Sequence, residues 1–232
     1  DNLDFEVTGK ESVIAELEVA RAYWYYILCE AFGNVPIVDR FDVPEGFLPE
    51  TSSREEVFAF IENSIKNNVD KLSDDTKTYY GRFNKWNAKM LLARLYLNAE
   101  SWIGKNMYTE CMALCTEIMN SNKYALENDY SAPFYAQNEG SQEIIFAYPA
   151  DEVKTGSTIY MALQKTLHPS NVKTFNLQTW LDNGVCAVPT FIDTYEEGDK
   201  RLPKTWRMGQ QYGSDGSILY CTGLVPGWEG KP

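Results

Sequence analysis

The sequence predicts a mainly α-helical fold in which helical hairpins are followed by a loop-rich region with short strands. Two observations predict it. Between Ser12 and Asn120, apolar residues recur mostly at every third or fourth position, which is the period of an α-helix. After Tyr124 this period stops and Gly, Asn, Pro and Ser become frequent, a composition typical of turns and loops.

Composition and charge limit the classes of function. Of the 232 residues, 44% are hydrophobic and 14% are aromatic, which is enough apolar material to bury a full core. The net charge of -12 repels phosphate groups, so nucleic-acid binding would lack its main driving force. Uncharged and cationic partners stay open.

Two predicted helices occupy the N-terminal part of the chain. The first runs from Ser12 to Phe32 and ends before Gly33, because glycine commonly terminates helices. The second begins after Ser53, since Glu56 follows three residues later and these two side chains can cap the first turn reciprocally. Its apolar spacing continues to Leu72.

Two further predicted helices follow a loop. The third runs from Trp86 to about Glu100 and is apolar on nearly every face, so we expect it at the centre of the core. The fourth runs from about Met107 to Asn120, and a short turn around Gly104 makes it the antiparallel neighbour of the third. Such a pair has the size of one tetratricopeptide repeat, and the first two helices would supply another.

The remainder of the chain predicts fewer regular elements. The β-branched and aromatic residues of Glu143–Pro149 predict a strand. Pro189 predicts the first turn of a short helix that continues to Glu197 and is closed by Gly198. Loops of this length in a compact domain usually carry function.

Four segments in a fixed order resemble the signatures of a known family. They are Ala20–Tyr26 running into Phe32–Val38, then Arg82–Leu97, Ser141–Ala147 and Pro189–Arg201 with its Asp199 and Arg201 pair. The sequence is similar in these segments to the SusD/RagB family of outer-membrane nutrient-binding lipoproteins of Bacteroidetes.

The resemblance implies a tetratricopeptide-like scaffold, here residues 10–125, and a loop-rich ligand-binding segment with short strands, here residues 126–232. Both would belong to one structural domain. Since family members are usually about twice as long, we expect a fragment or a shortened member that is incomplete at its C-terminus. The family also implies a lipid anchor N-terminal to Asp1, which would hold the protein at the cell surface of the outer membrane.

The function implied by the resemblance is capture of an oligosaccharide and its delivery to a SusC-like TonB-dependent porin, without chemical change and without a cofactor. Sugar rings present apolar C–H faces that stack on aromatic rings, while their hydroxyl groups need polar partners. Both kinds of side chain occur together after residue 155. The predicted ligand-binding residues are Tyr160, Asn171, Asn176, Trp180, Asp182, Asn183, Trp206 and Tyr212.

Tryptophan is also a common core residue, so each indole has a second interpretation. Trp180 and Trp206 lie in predicted loops beside polar residues, where ligand contact and core packing are both compatible with the sequence. Trp24 and Trp86 lie on predicted helices, and we expect both in the core.

The sequence contains few residues of the types that form catalytic or metal-binding sites. His168 is the only histidine, so a triad or imidazole-based metal site would depend on it alone. Glu196, Glu197 and Asp199 could supply a glycosidase pair only if two of them converge. We therefore expect a protein that is not an enzyme, with a helical-repeat protein-interaction module as the alternative and a glycoside hydrolase as a less favoured one.

The cysteines do not predict a disulfide framework or a metal site. There are five of them, and none shows the C-x-x-C spacing of zinc or redox sites. Cys111 and Cys115 lie four residues apart on a predicted helix, where we expect them to act as small buried hydrophobic residues.

Overall fold

The computed structural model describes residues 8–135, 137–150 and 161–219, and it confirms the mainly helical fold class. The chain divides into two compact units. The N-terminal unit comprises residues 1–128 and 132–149, and the C-terminal unit comprises residues 129–131 and 150–232. The functional boundary between residues 125 and 126 stays a prediction.

The N-terminal unit contains four long helices. Its elements are α1 (Lys10–Phe32), β1 (Val35–Pro36), β2 (Thr51–Ser52), α2 (Arg54–Lys66), a 3₁₀ turn (Val69–Lys71), α3 (Lys85–Ile103), α4 (Tyr108–Asn120) and a second 3₁₀ turn (Ala132–Phe134). β1 and β2 pair antiparallel, with Val35 opposite Ser52. None of the helices in the described part of the chain is long and apolar enough to cross a bilayer.

Local signals set where α2 and α3 begin. At α2 the predicted reciprocal cap is present: the Ser53 backbone N–H donates to the Glu56 carboxylate at 2.7 Å, and the Glu56 N–H donates to Ser53 Oγ at 3.3 Å. At α3 the same arrangement uses two asparagines. The Asn87 N–H donates to Asn84 Oδ1 at 3.1 Å, and the Asn84 N–H donates to Asn87 Oδ1 at 2.8 Å. Both caps satisfy backbone donors that a helix start leaves unpaired.

The core of this unit lies between consecutive helices. α1 packs on α2, α2 on α3, and α3 on α4, which is the neighbour-to-neighbour packing of tetratricopeptide-like hairpins. Its most deeply buried large side chains come from three helices: Val19, Tyr26, Val57, Ile61, Ile65 and Leu95. Gly104 adopts a φ of 68° at the end of α3, so the predicted turn between α3 and α4 is confirmed.

Two predicted elements of the N-terminal unit are corrected. α2 ends at Lys66 rather than Leu72, because the Asn68 side chain donates to the Ser64 carbonyl at 2.8 Å and the chain continues as a 3₁₀ turn. The strand predicted at Glu143–Pro149 is wrong: these residues form no strand ladder. A strand needs a hydrogen-bonding neighbour, and here the segment is held by aromatic side chains instead.

The C-terminal unit contains short elements. They are α5 (Met161–Thr166), α6 (Asn171–Phe175), α7 (Pro189–Ile192), α8 (Leu202–Thr205), β3 (Gln211–Tyr212) and β4 (Ile218–Leu219). β3 and β4 form an antiparallel hairpin with Gln211 opposite Leu219. The helix predicted from Pro189 ends at Ile192 rather than Glu197, where the Thr194 hydroxyl donates to the Phe191 carbonyl at 2.7 Å and competes with helix continuation.

The cysteines of the described residues are free thiols. Cys29 is buried, Cys111 and Cys115 are half-buried, and Cys186 is exposed. Burial raises the pKa of the Cys29 thiol, so it acts as a small core residue. Cys221 lies outside the described residues.

Candidate functional site

The predicted ligand-binding residues all belong to the C-terminal unit. Tyr160 lies outside the described residues, and the other seven are described. They form three local groups, each positioned by a different pair of segments.

The first group lies on the extended segment that follows residue 178. The Asp182 N–H donates to the Gln164 carbonyl at 2.9 Å, which holds this segment along the end of α5. Successive side chains of an extended chain point to opposite sides. Leu181 is therefore buried at 5% exposure, while Trp180 has 56% of its surface exposed. The indole of Trp180 is an outward-facing aromatic surface.

Polar groups surround Trp180. The Lys165 ammonium lies over the indole, 5.5 Å from the ring centroid, and also forms an ion pair with the Asp182 carboxylate. The hydrogen bond from Lys165 holds the pKa of Asp182 below its usual value. Asn183 is anchored by its N–H, which donates to the Leu167 carbonyl at 3.0 Å. The extended segment thus carries an aromatic ring, a carboxylate and an amide, and α5 adds the Lys165 cation.

The second group connects α6 with β3. Asn171 is buried at 3% exposure, and its side-chain amide donates to Thr174 Oγ1 at 3.1 Å and to Gln211 Oε1 at 3.3 Å. Gln211 precedes Tyr212, whose ring is 50% exposed. The contacts of Asn171 position the strand that carries Tyr212, and a direct contact of Asn171 with ligand stays a prediction.

Asn176 and two residues that the sequence did not single out complete this group. Asn176 ends α6 with a φ of 51°, a left-handed conformation that asparagine tolerates well. The preceding residue, Phe175, is 44% exposed, and the Arg207 guanidinium lies 4.8 Å from its ring centroid. A loop arginine next to Trp206 was the only sequence signal for this pair.

The third group fixes Trp206. Its indole N–H donates to the Tyr195 hydroxyl at 3.1 Å, and its ring meets Phe191 edge to face with centroids 6.1 Å apart. Phe191 also packs on Tyr195 at 5.8 Å. Because the indole donor is already satisfied and the ring is half-buried, Trp206 can offer a ligand only the exposed part of its ring.

Among the acidic residues considered for catalysis, Asp199 forms an ion pair with Arg201. The guanidinium of Arg201 makes a two-pronged contact with Asp199, with Nε at 3.0 Å from Oδ1 and Nη2 at 2.6 Å from Oδ2. This contact lowers the pKa of Asp199, which opposes the protonated state that a general acid needs. Glu196 and Glu197 are exposed.

His168 has a local structural contact. The Ser170 N–H donates to its Nδ1 at 3.2 Å, and the Ser170 hydroxyl lies 2.8 Å from the same nitrogen. This arrangement closes the turn between α5 and α6. Within residues 8–135, 137–150 and 161–219, no three His, Cys, Asp or Glu side chains are placed to hold a metal ion.

Stacked helical hairpins combined with a unit of short elements and exposed rings define a helical-scaffold protein with an aromatic surface in its loops. A family model described as SusD-like, starch-binding associating with outer membrane, matches residues 5–97. The starch-binding protein SusD of Bacteroides thetaiotaomicron is 30% identical over 156 residues, which cover 63% of this chain and 27% of that protein.

Solved structures agree in fold. A SusD superfamily protein from Bacteroides fragilis covers 92% of this chain and 48% of its own length, with a TM-score of 0.73 and 16% identity. Surface glycan-binding protein A from Bacteroides uniformis covers 96% of this chain and 47% of its own length, with a TM-score of 0.66 and 17% identity. The chain is therefore similar in sequence to SusD-like proteins over part of its length, and similar in fold to solved SusD superfamily structures. It spans about a quarter of the length of the curated relatives that it matches.

Proposed function

We propose that this chain contributes to the cell-surface binding of an oligosaccharide and its delivery to a TonB-dependent outer-membrane transporter, without chemical change. The observation that carries this proposal is the exposed indole of Trp180, with the Lys165 and Asp182 ion pair beside it. An indole face stacks on the C–H face of a sugar ring, and the neighbouring carboxylate and amide accept and donate hydrogen bonds to its hydroxyl groups.

The geometry around Trp180 also sets the direction of approach. The Lys165 ammonium lies over one face of the indole, so a sugar ring stacks on the other face. Asp182 lies two residues after Trp180, on the same side of the extended chain. Its carboxylate, which Lys165 contacts, can also accept hydrogen bonds from sugar hydroxyl groups.

The relatives support the ligand class. The matching family model is described as starch-binding, and the 30% identical relative is named a starch-binding protein. The same family supports a SusC-like porin as the partner and a lipid anchor at the outer-membrane surface as the location. An oligosaccharide is also compatible with the net charge of -12, because an uncharged ligand is not repelled.

Native affinity electrophoresis in gels that contain soluble starch or one of a panel of other neutral polysaccharides tests this function. The unaltered chain should be retarded by at least one polysaccharide, and Trp180→Ala should weaken binding about tenfold, or about 1.4 kcal/mol. Val188→Ala is the control, since Val188 is exposed at 63% in the same unit and belongs to none of the three groups. Equal retardation of Trp180→Ala and the unaltered chain would show that the assigned residue is wrong.

A further inference from the structure

A second exposed aromatic surface lies on the N-terminal unit. Trp24, expected in the core, has 56% of its surface exposed, and Tyr148 has 55%. The expectation for Trp24 is wrong because α1 is apolar on several faces, so its period does not identify the buried one. The two rings are neighbours, with centroids 6.1 Å apart and planes tilted by 32°. Two large aromatic side chains are thus exposed next to each other.

Three inner rings support this pair. Tyr23 lies 5.6 Å from Trp24 and 5.9 Å from Tyr148, measured between ring centroids, and meets both edge to face. Behind it, Phe83 and Phe146 stack with centroids 4.8 Å apart and planes 26° apart. Edge-to-face and offset-stacked contacts are the favourable geometries of aromatic rings. The exposed pair is therefore held in place without a ligand.

A close backbone approach fixes the segment that carries Tyr148. Gly81 has a φ of +74°, and a Cβ added there would lie 2.3 Å from Cγ of Pro149. Only glycine allows both this left-handed conformation and this approach. The turn before Phe83 thus holds Pro149, and with it the neighbouring Tyr148, against the cluster.

An ion pair also joins the two segments that carry rings of this cluster. Arg82 joins Glu16 through a two-pronged ion pair, with Nε at 2.9 Å and Nη2 at 2.5 Å from the carboxylate oxygens. These residues come from the two segments that supply Tyr23 and Phe83, and the Arg82 side chain is half exposed. Burial and a hydrogen bond with the Tyr23 hydroxyl raise the pKa of Tyr148, so this phenol is engaged within the cluster and the ring is the part of Tyr148 offered to a ligand.

We propose that Trp24 and Tyr148 form a second carbohydrate-stacking surface, separate from Trp180, which binds further rings of an uncharged oligosaccharide. That the ligand is an oligosaccharide rests on the proposed function. An exposed pair of neighbouring aromatic rings suits the apolar C–H faces of a sugar chain.

The test compares variants in affinity gels that contain the polysaccharides named above. Trp24→Leu keeps an apolar side chain but removes the flat ring, and it should weaken retardation at least threefold. Trp24→Tyr restores a ring and should recover most of the binding. Leu17→Ala is the matched control, because Leu17 lies on the same helix with 61% of its surface exposed. Tyr148→Leu should behave like Trp24→Leu, although it alters a different segment.

Each outcome separates this surface from the proposed function. Retardation that falls with Trp180→Ala but is unchanged in Trp24→Leu and Tyr148→Leu would overturn the second surface and leave the function standing. Equal losses in Trp24→Leu, Trp24→Tyr and Leu17→Ala would also overturn it, since the effect would then be a loss of α1 packing. An unaltered chain that no polysaccharide in the panel retards would overturn both proposals.

Discussion

The two units of the chain are organised by different interactions. In the N-terminal unit, helices bury a continuous set of apolar side chains, among them Ile61, Ile65 and Leu95 at 0% exposure. In the described part of the C-terminal unit, Leu181 and Leu219 are the buried apolar side chains, and polar contacts such as Asn171 to Gln211 connect the short elements. Apolar burial stabilises the first unit, whereas directional hydrogen bonds shape the second.

This difference fits a division of labour between scaffold and loops. Apolar burial is proportional to area and tolerates small shifts, so it produces a stable scaffold. Hydrogen bonds require defined distances and angles, so they can position Trp180 and Tyr212 without a large core. Because hydrogen bonds rather than apolar burial position them, Trp180 and Tyr212 can remain exposed.

The largest expected effect is a difference between two core substitutions. Leu95→Ala should lower the free energy of unfolding by about 4 kcal/mol, because it leaves a cavity in the closely packed cluster between helices. Leu181→Ala should lower it by about 2 kcal/mol, because Leu181 is buried outside that cluster. Urea denaturation followed by circular dichroism measures both values, and equal losses would contradict the contrast between the units.

A smaller effect is expected at the helix starts. Asn84→Ala should cost about 2 kcal/mol, because Asn84 is 2% exposed and its loss leaves the N–H groups of Trp86 and Asn87 without their acceptor. Ser53→Ala should cost about 0.5–1 kcal/mol, because water can replace the hydroxyl at this exposed cap. The same denaturation experiment measures the pair, and a larger loss at Ser53 would refute the role of burial.

The smallest effect concerns pH in the C-terminal unit. Because Lys165 lowers the pKa of Asp182 in the folded state, the ion pair contributes above the unfolded value of about 3.9 and is lost as pH falls through the folded pKa. Carboxyl ¹³C shifts followed by NMR between pH 2 and 6 should show this low pKa. Lys165→Met should return it toward about 3.9, and an unchanged titration would show that Lys165 is not the cause.

The sequence predicted the N-terminal unit well because its signals are local. Ser53 and Glu56 announce α2 by themselves, and Gly104 marks the turn after α3. The Asn84 and Asn87 cap was missed, since asparagine at the third helical position is not the usual capping partner. The strand predicted at Glu143–Pro149 failed because strand propensity cannot report whether a neighbouring strand exists.

The candidate site was predictable only in part. Polar neighbours of Trp180 pointed to an indole in a loop, and the ring is exposed. The burial of Asn171 could not be predicted, because it depends on Gln211, forty residues later in the chain. The exposure of Trp24 could not be predicted either, since an apolar helix carries no sign of which face lacks a neighbour.

The caps at Ser53 and Asn84 have a consequence for how this scaffold can change in length. Each cap fixes the first residue of its helix within a four-residue stretch, and each residue turns the helix by about 100°. An insertion between a cap and the residues that follow would therefore rotate the whole apolar face away from its neighbours. An insertion in a connection such as residues 37–50 would instead leave the rotation of each helix about its own axis unchanged.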